Sequence, residues 1–366
     1  MRRVKVGVLG ATGTVGQRFV ELLDGHPWFE VTALAGSERT QGRLYGEAVQ
    51  WHLGADVPAY ARGMRLQPGK PGLDCEVVFS ALPSEAAGSL EPLFAAAGYK
   101  VFSNASSYRM ALDVPLMVPY LNPEHLAAIP VQQARRGWKG FILTNPNCVS
   151  IPLAMALAPL HSRFGVRRAL VTTMQAISGA GYPGVPSYDI LGDVVPYIGG
   201  EEQKVETEPL KLLGSWEGEA FRYADIALSA QCHRVPVREG HLLAVSMELG
   251  QALPEEDVLS AWQEWRPDML GMRLPSAPDV PLIYRSEADR PRPGRDAMTA
   301  SGMGAVLGRL RPCPLLGWKF NVLGHNTVLG AAGCSLLNAE LYFASVEQVA
   351  ETVPDVQPSR SRIPAL

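Results

Sequence analysis

Short apolar runs, each closed by glycine or small polar residues, recur through the first part of the chain. Val4-Lys5-Val6-Gly7-Val8-Leu9 runs into Gly10-Ala11-Thr12-Gly13-Thr14-Val15-Gly16, and Val31-Thr32-Ala33-Leu34-Ala35 into Gly36-Ser37-Glu38-Arg39-Thr40. Glu76-Val77-Val78-Phe79-Ser80-Ala81 leads to Leu82-Pro83-Ser84-Glu85, and Lys100-Val101-Phe102-Ser103 to Asn104-Ala105-Ser106-Ser107-Tyr108-Arg109. Phe141-Ile142-Leu143 closes on Thr144-Asn145-Pro146-Asn147-Cys148. Unbroken apolar strands belong to a sheet covered on both faces, as parallel sheets are. Between the first two, Val15, Phe19, Leu22 and Leu23 recur at helical spacing. After the last, Ile151-Pro152-Leu153-Ala154-Met155-Ala156-Leu157 reads as a helix opening with proline in its first turn. The pattern predicts an α/β fold with a Rossmann-type parallel sheet, its polar closures gathered along one edge.

From about Arg167 the pattern changes. Ala169 to Ile177 reads as a strand, and the following Ser178-Gly179-Ala180-Gly181-Tyr182-Pro183-Gly184 is too rich in glycine and proline for a helix. Residues 201–213 are helical in part, and long strands recur at 226–237, 242–249 and 317–323. This predicts a second α+β domain around a mixed, largely antiparallel sheet. A last apolar helix, 327–343, is expected to pack back on the first domain, with an exposed tail over 345–366.

Bulk composition excludes several classes. Hydrophobic content of 47% with 19% charged residues suits a globular enzyme, and a net charge of −3 gives no electrostatic case for nucleic acid or an anionic membrane. No apolar run approaches the ~20 residues of a membrane span, and Met1-Arg2-Arg3 leads into a strand rather than a signal sequence. Five scattered cysteines read as free thiols in a reducing cytoplasm, and no Cys/His cluster has metal-ligand spacing.

The chemistry sits in the closures. Gly10, Gly13 and Gly16, with Thr12, Thr14 and Val15 between them, form a G-x-x-G-x-x-G turn between strand and helix that lets backbone approach a pyrophosphate. At the next strand end Ser37, Arg39 and Thr40 supply donors suited to a 2′-phosphate, whereas Glu38 could read a ribose hydroxyl instead; NADP(H) is favoured. Cys148 stands at a strand–helix junction, where free N–H groups and the helix dipole favour thiolate; the competing reading is a structural thiol. A thiolate nucleophile needs a proton acceptor, and His233 and His241 are the nearby candidates in Gln231-Cys232-His233-Arg234-Val235-Pro236-Val237-Arg238-Glu239-Gly240-His241. Alternation would put Arg234 and Pro236 on one strand face.

Five segments in order carry a family resemblance: Asn145-Pro146-Asn147-Cys148, Gly179-Ala180-Gly181-Tyr182-Pro183-Gly184, Gly200-Glu201-Glu202-Gln203-Lys204, Arg234-Val235-Pro236-Val237 with Gly240-His241, and Gly324-His325-Asn326-Thr327. Together they resemble aspartate-β-semialdehyde dehydrogenases of the archaeal and fungal type, over about residues 4–344. The resemblance implies Cys148 as nucleophile, His241 as general acid/base, Gln175 orienting the substrate and Asn147 beside the oxyanion. It implies Arg234 on the substrate carboxylate, Glu201 (or Glu202) on the amine, and Arg109 with Lys204 on phosphate. Ser84, Ser178, Gly179, Asn326 and Thr327 join the glycine loop as cofactor neighbours. The implied domains are 1–147 for dinucleotide binding, with helix 327–343, and 148–326 for catalysis and dimerisation. Two positions depart from the family: Val149, where a hydroxyl residue is usual, and Tyr120, where a glutamate is.

The implied reaction is NADPH-dependent reductive dephosphorylation of aspartyl phosphate to aspartate semialdehyde, releasing phosphate, in a cytoplasmic homodimer or homotetramer serving lysine, methionine, threonine and isoleucine biosynthesis. A malonyl-CoA reductase using the same cysteine chemistry is the first rival; Glu201 argues against it, since that substrate has no amino group. An N-acetyl-glutamyl-phosphate reductase fits the Gly200–Lys204 segment less well, and the Cys148/His241 pair argues against a catalytically silent nucleotide-binding regulator.

Overall fold

A computed structural model describes residues 3–346. Strands β1 (Val4–Leu9), β2 (Phe29–Gly36), β3 (Gln67–Pro68), β4 (Val77–Ser80), β5 (Lys100–Ser103) and β6 (Phe141–Thr144) form one parallel sheet in the order β3-β2-β1-β4-β5-β6. That is the doubly wound order, whose crevice opens beyond the strand ends where the order reverses, between β1 and β4. The apolar runs behave as their continuity predicts: every residue of β4 and β6 is buried. Helices α1 (Thr14–Leu22), α2 (Ser84–Ala96), α3 (Ala128–Arg136) and α4 (Ser150–Phe164) accompany the sheet. Gly10, Ser37, Ala81, Asn104 and Asn145 therefore leave their strands at one edge.

The second sheet is mixed. β7 (Val166–Gln175), β8 (Ala227–Arg234), β9 (His241–Leu249), β10 (Leu282–Arg285), β11 (Ala305–Cys313) and β12 (Gly317–Gly324) lie in the order β8-β7-β9-β12-β11-β10. β7–β9, β9–β12 and β11–β12 pair antiparallel, whereas β7–β8 and β10–β11 pair parallel. β8 is an edge strand, and α5 (Glu201–Leu212) covers it. Glu206 Oε1 accepts the N–H of Ala230 at 2.9 Å and Glu202 Oε1 that of Cys232 at 3.1 Å, so the exposed ladder is satisfied by side chains. Helix α6 (Glu255–Gln263) buries Trp262, whose Nε1–H donates to Ala156 O of α4.

Local details differ from the sequence pattern where a tertiary contact decides. The segment after β7 does hold one helical turn, a 3₁₀ turn at Ile177–Ala180. The last helix opens on a π turn, Val328–Ala332, with Gly330 N–H bonded to His325 O and Ala332 N–H to Thr327 O, before α7 (Gly333–Val346). The first two residues of the expected tail lie in α7, and the rest of 345–366 falls outside the described residues. Arg234 shares its strand face with the buried Ala230 and Cys232; Pro236 follows the end of β8. Among the described residues, no helix is long and apolar enough to cross a membrane.

α7 returns to the first sheet. Tyr342 packs on Phe141 at 4.9 Å between ring centroids and Phe343 meets Phe29 at 5.7 Å. Glu340, fully buried, fixes the helix in place: it takes a hydrogen bond from Ser276 Oγ at 2.5 Å and another from Ser276 N–H at 3.0 Å. His26 Nε2 lies 2.9 Å from its Oε1. Because His26 Nδ1 accepts from the N–H groups of Trp28 and Phe29, its proton resides on Nε2 and points at Glu340. Replacing Glu340 by Ala strands several buried donors, and the unfolding free energy by urea titration should fall by about 3 kcal/mol.

Candidate active site

The glycine turn is built for close backbone approach. Gly10 has φ +72°, and a Cβ there would stand 2.7 Å from Ala81 O; one at Gly16 would lie 2.2 Å from Gly10 O. α1 then starts at Thr14, after Gly13, with no side chain capping its first N–H groups. An uncapped helix N-terminus behind a glycine turn is an anion site, so these residues fit a dinucleotide pyrophosphate. At the end of β2, Ser37, Glu38 and Arg39 are exposed, but Thr40 is buried, with its hydroxyl donating to Ser37 O at 3.1 Å. Thr40 therefore staples the loop, leaving Ser37 and Arg39 as outward donors. Ser84 Oγ is 2.8 Å from Ser106 Oγ, tying together two of the strand closures.

Cys148 is half-buried, and its neighbours differ from the expectation of free helix N–H groups. Asn147 Oδ1 already accepts from the N–H of Val149 at 2.9 Å and of Ser150 at 3.4 Å. The helix terminus beside the thiol is thus occupied by the protein. Burial pushes the Cys148 thiol up to about 12; Glu201 adds to this, Arg109 and Arg234 oppose it, and Glu208 adds a smaller push. The substrate-free protein holds a thiol, because desolvation exceeds what the two guanidiniums return. Asn147 is also fixed at its other end, Nδ2 donating to Glu201 Oε1 at 2.9 Å.

The second sheet brings three more groups to the same place. Gln175 and Arg234 are register partners at the ends of β7 and β8. Arg234 donates through Nη1 to Ala176 O at 2.8 Å, and Ala176 N–H donates to His241 Nδ1 at 3.0 Å. With Nδ1 accepting, the neutral ring carries its proton on Nε2, a buried atom with no partner among the described residues. Burial pushes His241 down to about 3, Arg234 and His325 adding to this, so the ring is neutral at physiological pH. Its free nitrogen is a donor, which narrows the acid/base expectation. Gly179 admits no side chain here: a Cβ would lie 2.8 Å from Arg234 Nη1 and 3.0 Å from His241 Nε2. His233 instead sits 3.3 Å from Thr173 O, along the strands.

α5 resolves the neighbouring glutamates. Glu201 is buried and holds Asn147 Nδ2 and, at 3.2 Å, Lys204 Nζ, whereas Glu202 turns to the edge strand. Arg109 is buried, Nη1 bonded to Glu208 Oε1 at 2.9 Å and Nη2 to Asn104 O at 2.7 Å. Arg109, Arg234 and Glu201 thus surround Cys148, and Lys204 joins them through Glu201. Asn326 and Thr327 are buried and engaged: Asn326 Oδ1 accepts Gly240 N–H, its Nδ2 donates to Ser178 Oγ, and Thr327 Oγ1 accepts from Arg18 Nε. They position the turn before His241.

The sequence reading missed Glu208, Ala176 and Gly330. A Cβ on Gly330 would lie 2.7 Å from Cys148 Cβ, so the π turn lets the chain back directly onto the cysteine. The helical spacing of Glu208 from Glu201 was a usable signal; Ala176 acts through its backbone and leaves none. Of the two departures, Tyr120 is buried away from the cleft, with Cys334 and Glu340 as neighbours, and Val149 is buried and meets Asn147 through its backbone.

Comparison with known proteins supplies the context for this geometry. Residues 5–129 match the family description "Semialdehyde dehydrogenase, NAD binding domain" and residues 157–329 match "Semialdehyde dehydrogenase, dimerisation domain". The chain is 52% identical over 340 residues to an aspartate-semialdehyde dehydrogenase of Archaeoglobus fulgidus, covering 93% of this chain and 98% of that one. It is 44% identical over 352 residues to the Cryptococcus neoformans enzyme of that name, covering 93% and 96%. A crystal structure of the Candida albicans aspartate semialdehyde dehydrogenase with NADP superposes with a TM-score of 0.85 at 40% identity, covering 94% of this chain and 99% of that one.

The raised thiol gives a direct test. With its folded pKa above the usual value, Cys148 is protonated at neutral pH, and thiolate appears only as pH rises. Alkylation of the Cys148 peptide by iodoacetamide, followed by mass spectrometry in substrate-free protein, should accelerate about tenfold per pH unit from pH 7 to 9. A plateau below pH 8 would show that the helix terminus does stabilise thiolate.

Proposed function

The chain belongs to the aspartate-semialdehyde dehydrogenase family, and from that premise we propose how its cleft performs the reaction. The protein is an NADP-dependent oxidoreductase that converts aspartyl 4-phosphate to aspartate 4-semialdehyde, on the route to lysine, methionine, threonine and isoleucine. The observation that carries this reading is Cys148 among two guanidiniums and two carboxylates, Arg109, Arg234, Glu201 and Glu208, the last of them bonded to Arg109 and the backbone of Asn147. These charges complement a substrate bearing a phosphate, a carboxylate and an amine.

Arg234 grips the substrate carboxylate; its Nη1 is anchored on Ala176 O. Glu201 accepts from the amine, held ready by Asn147 and Lys204. Arg109, with Lys204, receives the phosphate; Arg109 Nε has no partner among the described residues and is the donor left for it. Gln175 orients the acyl group from the end of β7. Cys148 Sγ attacks the acyl carbon, the C–O bond to phosphate breaks, and a thioester forms, with the thiol proton passing to the departing phosphate. His241 Nε2–H donates to the oxygen on which negative charge develops, a task for a neutral imidazole. The guanidiniums of Arg109 and Arg234 favour loss of the thiol proton as the bond to carbon forms, against the desolvation that keeps the resting thiol protonated.

NADPH, when bound, supplies the hydride that turns the thioester into the aldehyde. The glycine turn and the start of α1 would hold its pyrophosphate, and Ser37 and Arg39 its 2′-phosphate. Ser84, Ser178 and Gly179 line the approach, with Asn326 and Thr327 behind them. We assign residues 1–147 with helix 327–343 to nucleotide binding and 148–326 to substrate binding and dimerisation, in a cytoplasmic homodimer or homotetramer. Among the described residues all cysteines are free thiols, which suits a reducing compartment.

Two measurements test this reading. Purified protein given aspartate semialdehyde, inorganic phosphate and NADP should form NADPH only with phosphate present; turnover with malonyl-CoA and NADPH alone would establish the rival substrate. Cys148→Ser should lower kcat by at least about a thousandfold while NADP affinity, by fluorescence titration, moves less than about twofold.

A further inference from the structure

Four charged residues of α5 lie in one stripe. Glu201, Lys204, Glu208 and Lys211 advance by three, four and three residues, within an arc of about 80° at 100° per residue. The first two belong to the substrate site proposed above. The other two are buried, Glu208 at 2% and Lys211 at 0% exposure, and neither is needed to contact substrate.

Their bonds reach two loops, the one that carries Arg109 and the one that carries the nucleophile. Glu208 Oε1 takes Arg109 Nη1 at 2.9 Å, and its Oε2 takes the backbone N–H of Asn147, the residue before the nucleophile, at 2.6 Å. Lys211 Nζ donates to three carbonyls, Arg109 O, Ala111 O and Val114 O, each at 2.8 Å, and lies 4.2 Å from the Phe221 ring centroid. Three hydrogens and three acceptors fill the ammonium completely. Burial pushes Lys211 down to about 7, opposed by Asp113 and Glu208. A buried lysine that only stapled a loop could be replaced by apolar packing; this one is aimed at the loop that carries Arg109.

We propose that Glu208 and Lys211 are positioning residues for phosphate, Glu208 acting as a two-ended link between the phosphate-binding guanidinium and the nucleophile loop. Both partners of Glu208 are donors, so the link needs two acceptor oxygens. A glutamine offers one acceptor and one donor, and must break one of the two contacts. Arg109 would then turn away from the thiol side, or the Asn147–Cys148 backbone would lose its anchor. Lys211 supports the same guanidinium from below, by fixing the carbonyl of Arg109 itself.

This inference rests on the assignment of phosphate to Arg109, and its test separates the two. Phosphate-dependent NADPH formation by the native protein is measured first. In Glu208→Gln the KM for phosphate should then rise at least about tenfold, the size expected for one lost hydrogen bond to a charged group. The KM for aspartate semialdehyde should stay within about twofold. Removing the Glu208 charge should also speed Cys148 alkylation at pH 8 by about threefold in substrate-free protein. Glu208→Asp keeps two acceptors at shorter reach and should recover part of the phosphate affinity; Lys211→Met should raise the phosphate KM alone. A folded Glu208→Gln with unchanged phosphate KM, or with both KM values raised equally, overturns the proposal. If the native protein shows no phosphate-dependent turnover, the function reading fails, and the alkylation arm still decides: an unchanged rate refutes the link. If Glu208→Gln does not fold, Glu208→Asp replaces it, with a phosphate KM raised at least about threefold in support and an unchanged one against.

Discussion

The backbone of Ala176 faces two ways just past the end of β7, its carbonyl toward Arg234 and its N–H toward His241. Two side chains from two further strands are thereby set by one backbone unit, which no rotamer change can disturb. Arg234 is placed by parallel pairing with β7, and His241 by antiparallel pairing of β9 with the same strand. A backbone anchor of this kind costs little entropy on binding, because Ala176 is held between the end of β7 and the 3₁₀ turn that follows. It also decides chemistry: the N–H that holds His241 takes its basic nitrogen and leaves an acidic one facing the cleft.

Dryness is the second constraint, and it follows from the first. A cleft closed by Gly179, Gly330 and the strand ends leaves little water around Cys148 and His241, so both are held in their neutral forms. The charges that remain are each given a protein partner: Glu201 by Asn147 and Lys204, Arg109 by Glu208, Arg234 by Ala176. An unpaired buried charge would cost several kcal/mol. These are the paired charges that the proposed substrate would meet, while the thiol itself stays protonated in the substrate-free protein. A protonated thiol is the less nucleophilic form.

Much of this was legible in the chain, and the boundary is physical. Continuous apolar runs gave β1, β4, β5 and β6 nearly residue for residue, because a strand buried on both faces has no room for polar positions. The glycine turn was legible because a positive φ and close approach leave few alternatives to glycine at Gly10. The neutral Cys148 was not: the junction suggested a free helix terminus, and only the fold shows Asn147 Oδ1 already there. Short-range sequence describes dipoles well and burial poorly. Thr40 shows the same limit, since its hydroxyl type suited phosphate, whereas burial and a bond to Ser37 O are visible only in the fold.

The ambiguity between Glu201 and Glu202 shows why a helix must be read as two faces. Residues one apart differ by 100°, so Glu201 looks into the cleft while Glu202, with Glu206 one turn later, looks at the free edge of β8. Both faces are acidic in unrelated settings, one bonded to Asn147 and Lys204 and the other accepting strand N–H groups. Sequence composition cannot separate the two, but spacing can. Partners at three- and four-residue steps from Glu201 reach cleft groups, and those from Glu202 reach β8. The helix is thus held between the edge strand and the nucleophile loop by carboxylates on two of its sides. A shift of α5 toward either would break bonds to the other, which fixes the depth at which Glu201 enters the cleft.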